Sequence, residues 1–227
     1  LRRPTSGEAA EGNKGKAGGA RHVVNAPGLP ASMRRELAPY LVLAERMGSY
    51  LAQRMDEPIR KVEFTLAGEM ASKDQVGALR LGFLVALLQR SMEGSVNFVN
   101  APMLAGERNM RILEDSEGSA GNYTNLIKAR VSSQDGHETH VVSGTVFGNG
   151  PRFVRVDDLF VDPTATGQQL ITRHTEQPGV LGQIGTLLGE EGVNVSRVEL
   201  GPHGADREGQ ATAFFSLYDT PSEATIE

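Results

Sequence analysis

Between Gln169 and Leu200 the apolar period of the chain changes twice, and this restricts the fold more than any other feature. "QLITRHT" alternates as a strand does, "PGVLGQIGTLLGEEG" sets Val180, Leu181, Ile184, Leu187 and Leu188 at helical spacing, and "VNVSRVEL" returns to a strand. Pro178 suits the first helical position, and Gly192 suits the left-handed residue past the helix end. "QATAFFSL" supplies one more strand, so residues 165–227 read as a βαβ unit with an added hairpin, compact enough to be a domain. "YDTPSEATIE" then starts another helix, with Thr220 or Ser222 as its cap. A sheet of this kind wants a further helix and a closing strand, so truncation at the C-terminus is expected.

Upstream, the texture is that of a separate α/β domain with a mixed sheet over residues 21–164. Leu37 to Met55 is helical, with Leu43, Met47, Tyr50, Leu51 and Arg54 three and four apart. "RKVEFTLAG" turns Val62, Phe64 and Leu66 to one face of a strand. A second helix fits Gln75 to Met92 and a short third fits Pro102 to Asn109. Asn125 to Ser132, Thr139 to Phe147 and Arg152 to Val156 read as antiparallel strands joined by "QDGHE" and "GNG" turns. "VDPTATGQQ" has no period and reads as a linker. Residues 1–20 carry Leu1 as their single large apolar side chain and read as a disordered tail; "RHVVNAP" after them is a short strand-like run.

Composition narrows the function classes. The net charge of -5 gives no electrostatic footprint for nucleic acid or an anionic membrane surface. Without cysteine there is no disulfide, thiolate metal site or cysteine nucleophile. The longest apolar run, Phe83 to Leu88, is far short of the ~20 residues a membrane span needs. A cytoplasmic protein is expected.

The chemistry concentrates where the last long helix begins. Its unpaired amides and roughly half a positive charge suit a carboxylate, and Gly179 lets a ligand approach the backbone. His174, Glu176 and Asn194 would complement the other end of a zwitterion, which points to a small polar amino acid. The plainer alternative is that strand, Pro-Gly, helix occurs in many α/β units and that Glu176 only favours the helix dipole. "HETH", His137 to His140, invites a metal reading, yet on a strand two such histidines point to opposite faces, and no metal is expected. His22 and His203 are assigned no role.

"ITRHTEQPGVLGQIGTLLGEEGVNVSRVELG" resembles an ACT domain, the small-molecule regulatory module, and in particular that of D-3-phosphoglycerate dehydrogenases. "VVNAP", "LAERMG", "NFVNAPMLAGERNM" and "VSGTVFGNGPRFVRVDDLFVD" resemble the intervening, or allosteric substrate-binding, domain of the longer form of those enzymes. The resemblance implies an α+β protein in which the intervening domain is followed by a truncated ferredoxin-like βαββαβ domain. It implies feedback inhibition by L-serine bound where two ACT domains pair edge to edge, hence self-association. The implied contacts are His174, Glu176 and Asn194, with backbone around Gly179 and Val180 for the carboxylate. Family members usually carry aspartate or asparagine where this chain has Glu176, whose extra methylene pushes the charge outward.

Some members place a basic cluster near the end of the intervening domain to hold an anion. Here Asp157, Asp158 and Asp162 stand there and would repel a phosphate, so the domain is given a spacing and coupling role. NAD belongs, by resemblance, to the catalytic portion of such oxidoreductases. This chain has no G-x-G-x-x-G turn after a strand and is assigned no cofactor and no catalytic residue. Gly182, Gly185 and Gly189 lie within a helix, where close helix packing is the better explanation. The alternative function is a stand-alone amino-acid-sensing or oligomerisation module with no dehydrogenase attached.

Overall fold

The computed structural model describes residues 31–148, 150–201 and 209–226. The tail over residues 1–20, the run at "RHVVNAP", His22 and His203 lie outside the described residues.

One α-helical layer covers one face of a six-stranded sheet. Helix α1 (Ala31–Arg54) buries Leu37, Leu41, Leu43, Met47 and Leu51, and it starts well before Leu37. Strand β1 (Lys61–Gly68) turns Val62, Phe64 and Leu66 inward, as its alternation requires. Helix α2 (Lys73–Gln89) starts two residues earlier than its apolar stripe suggests, because Ser72 and Gln75 form a reciprocal cap. The Ser72 hydroxyl accepts from the Gln75 amide at 3.4 Å and donates to Gln75 Oε1 at 2.9 Å. Helices α1 and α2 meet closely at Gly48, where a Cβ would overlap the Phe83 carbonyl oxygen. Helix α3 (Ala101–Glu107) follows.

The strands β2 (Arg111–Glu117), β3 (Asn125–Ser132), β4 (Thr139–Phe147), β5 (Gly150–Val156) and β6 (Leu159–Phe160) complete the sheet, in the order β2-β1-β3-β4-β5-β6. Only β1 and β2 are parallel. Strand β2 was not expected. It is an edge strand whose Ile112 and Leu113 are merely half-buried and which carries Glu114, Asp115 and Glu117, so it shows no apolar alternation.

A second sheet holds β7 (Gln168–Thr175), β8 (Val195–Gly201) and β9 (Gln210–Leu217), in the order β7-β9-β8. Both outer strands run antiparallel to β9, so β7 and β8 are parallel with a strand between them, a split βαβ unit. Helix α4 (Val180–Glu190) crosses from β7 to β8, and Leu188, Val193, Ala213, Phe215 and Leu217 form the core beneath it. The short α5 (Glu223–Ile226) follows a turn in which Thr225 N–H donates to Ser222 O.

The opposite face of this sheet packs on the first domain: Phe214 joins the large core, and Ile171 packs against it. The segment after β6, expected to be a free linker, is docked. Phe153 N–H donates to Pro163 O at 3.1 Å and Ala165 N–H to Pro151 O at 2.8 Å, and Ala165 is buried. No described helix is long and apolar enough to cross a membrane.

Candidate functional site

The mouth of α4 lies at the end of β7. Pro178 is not the first helical residue: it sits in a turn, and Gly179 takes the cap position in the left-handed region, φ 94°. That conformation costs glycine little and other residues more, which is why Gly179 stands there. Val180 N–H reaches Gln177 O at 3.4 Å, and Gln183 N–H makes the first good helical bond, to Gly179 O at 3.0 Å. The Leu181 and Gly182 amides have no backbone acceptor among the described residues. The N-cap residue Gly179 brings no side-chain cap of its own, and a helix N-terminus favours an anion.

His174 is half-buried near the end of β7, opposite Ala211, with its Nδ1 3.4 Å from Thr172 Oγ1 on the same strand face. Glu176 is exposed just beyond the strand, its N–H donating to Gly209 O at 2.7 Å. His174, Glu176, Gly179 and Val180 thus share one end of the sheet. Asn194 does not join them. It is exposed immediately before β8, and its carbonyl accepts from Tyr218 N–H at 3.0 Å, at the other end of β9.

Two surfaces beside these residues have no cover among the described residues. Strand β8 pairs on one side only among them. Its Val198 and Leu200 lie opposite Phe215 and Ala213, hence on the helix face, and are 44% and 56% exposed. Helix α4 is largely apolar, yet Leu188 is its one buried residue, while Leu187 is 47% exposed. The expectation that Gly182, Gly185 and Gly189 serve close helix packing fails among the described residues, since a Cβ at any of them meets none of these within 4 Å.

The acidic run near the end of the first domain is locally neutralised rather than bare, which removes the reason for expecting it to repel a phosphate. Asp157 lies 3.8 Å from Arg54, 3.2 Å from His140 Nδ1, and accepts from Val141 N–H at 2.9 Å. Asp162 pairs with Arg152 at 3.0 Å, and Asp158 lies 3.9 Å from Arg155. The two histidines of "HETH" are separated: His137 is in the hairpin turn, and His140 is in β4 between Glu138 and Asp157. Glu138 accepts from the Asp56 and Glu57 amides at 3.0 and 2.7 Å. Burial would raise its carboxyl, but those amides and His140 outweigh it and hold the group below the ordinary range.

A split βαβ sheet with an open helix mouth, docked on an α/β domain that lends it support, defines a regulatory segment of the ACT type. The model of the D-3-phosphoglycerate dehydrogenase intervening domain matches residues 36–157, and that of the ACT domain matches residues 169–226. This chain belongs to the D-3-phosphoglycerate dehydrogenase family, of which it carries those two regulatory domains. It is similar to the D-3-phosphoglycerate dehydrogenase of Methanocaldococcus jannaschii, 30% identical over 92% of this chain and 38% of the relative. The Archaeoglobus fulgidus enzyme of that name is 33% identical over 88% of this chain and 37% of the relative. That of Mycobacterium leprae is 36% identical over 74% and 32%. The chain therefore spans about a third of the length of the curated relatives it matches.

Proposed function

We propose that this chain is the regulatory portion of a D-3-phosphoglycerate dehydrogenase of L-serine biosynthesis, and that two copies bind L-serine between their ACT domains as feedback effector. The observation that carries this reading is the division of the site residues between opposite ends of one sheet. A closed two-fold pairing of β8 edges brings the Asn194 end of one copy to the helix mouth of the other. It also covers Val198 and Leu200 and gives the α4 glycines a helix to approach. The effector carboxylate then meets the Leu181 and Gly182 amides, Glu176 takes the ammonium group, and His174 with the second copy's Asn194 takes the hydroxyl.

Effector binding acts on the enzyme through the intersubunit contact, with a coupling of ~1–3 kcal/mol typical of such linkage. The NAD-dependent chemistry belongs to the portion of the enzyme outside this segment. Calorimetric titration with L-serine, glycine and other amino acids tests the reading, together with Asn194→Ala. Heat with L-serine that is lost in the variant supports it; no heat with any amino acid, or equal heat in the variant, refutes it.

A further inference from the structure

A pocket lies wholly within the first domain, where α1, α2 and α3 end. Every residue that lines it falls between Ala52 and Met110, so the ACT domain contributes nothing to it. Its volume is about 540 Å³, in the range of sites that hold small organic ligands. The floor is apolar. Leu87, Leu88 and Met110 are buried there, with Met55 and Ile59 partly buried beside them and packed against the large core.

The rim carries both signs of charge, on two segments. Asp56 and Glu57 stand just after α1, and Arg90 stands at the end of α2. All three are exposed, and although they line one pocket, none of their side chains makes an ion pair or hydrogen bond among the described residues. Exposed charges are ordinary; what sets these apart is that both segments are held in place by other charged side chains. Glu138 accepts from the Asp56 and Glu57 amides at 3.0 and 2.7 Å. On the other segment, Arg108 donates to Ser91 O at 2.9 Å, and Arg60 donates to the Arg108 carbonyl. Arg60 and Arg108 are thereby committed to the backbone, whereas Arg90 keeps its donors for a ligand. Opposite charges fixed around an apolar floor lower the ordering cost of binding a molecule that matches all three.

We infer that this pocket binds an α-amino acid with a bulky apolar side chain. The ammonium group meets Asp56 and Glu57, the carboxylate meets Arg90, and the side chain lies on Leu87, Leu88 and Met110. The inference is independent of the serine reading, because none of the effector residues lines the pocket.

The test is calorimetric titration of the 227-residue chain with L-leucine, L-methionine and L-phenylalanine, each with and without an excess of L-serine. Saturable binding of at least one of the three is expected, unchanged by L-serine. It is weakened at least tenfold in Arg90→Gln and in the double variant Asp56→Asn with Glu57→Gln. Isocaproate, which lacks the ammonium group of leucine, and isoamylamine, which lacks its carboxylate, should each bind at least tenfold more weakly than L-leucine. The replaced side chains are exposed, so the core stays intact, and thermal midpoints without ligand check that each variant folds. The inference is overturned by no saturable binding of any of the three amino acids, by displacement with L-serine, by charge variants that bind as the unmodified chain does, or by either analogue matching L-leucine.

Discussion

His174 and Asn194 occupy opposite ends of the same three-stranded sheet. His174 stands across from Ala211, whereas the Asn194 carbonyl is bonded to Tyr218, seven residues further along (218 − 211). At about 3.3 Å per residue this is a separation of roughly 23 Å along the strand direction, far beyond the reach of one amino acid. A ligand that touches both residues must lie between two chains.

Shared sites make an unusual mixing experiment informative. His174→Ala and Asn194→Ala should each weaken L-serine binding by tenfold or more, the loss expected for a hydrogen bond to a charged or polar ligand worth about 1.5–3 kcal/mol. When the two variants are mixed and allowed to exchange, each mixed dimer regains one intact site. Calorimetry should recover L-serine binding at a reduced stoichiometry of about one site per mixed dimer. No recovery after verified exchange would place both residues in a site within one chain.

The uncovered β8 edge should be where copies meet. Val198→Lys and Leu200→Lys place charges on side chains that are already largely exposed, so folding should survive while association weakens. Sedimentation velocity is expected to show a shift from dimer to monomer, with L-serine binding lost in parallel. Unchanged association in the double variant would move the interface elsewhere.

Two helical glycines should respond to alanine with opposite sign. At Gly48 the added methyl overlaps the Phe83 carbonyl oxygen, forcing α1 and α2 apart; a loss of about 3 kcal/mol is expected from overpacking. At Gly77, inside α2, nothing lies within 4 Å, and alanine should add roughly 0.5–1 kcal/mol through helix propensity. Urea midpoints of both variants measure the contrast.

Stability should fall between pH 5 and pH 8 on account of Glu45. Burial raises its carboxyl from 4.5 to about 7 against the opposing pull of Arg46, and its Oε1 has no hydrogen-bond partner among the described residues. The folded state therefore holds this proton more tightly than the unfolded chain. This group imposes no cost below pH 4.5, a growing cost as pH rises towards 7, and its full cost above that. Glu45→Gln should flatten the profile, gaining on the order of 1 kcal/mol at pH 8, since a partly hydrated carboxylate is penalised less than a fully buried one. Equal slopes for the two proteins between pH 5 and pH 8 would show that Glu45 is not the cause.

Much of the secondary structure could be read locally. Strands β3, β4 and β9 fall on the stretches read as strands, and β9 buries both of its faces, Phe214 in the large core and Phe215 in the core beneath α4. Strand β2 was illegible because parallel pairing on an edge needs backbone partners and little apolar surface. The glycines of α4 misled for a related reason: their spacing signals close approach without saying to which molecule.

By itself, then, the sequence determined the local periods and the chemistry available at the mouth of α4, since these depend on residues a few positions apart. Only the tertiary structure decided that β9 lies between β7 and β8 and that Asn194 is thereby carried away from His174. Those outcomes depend on which distant backbones pair and which faces pack, and no window of neighbouring residues contains that information.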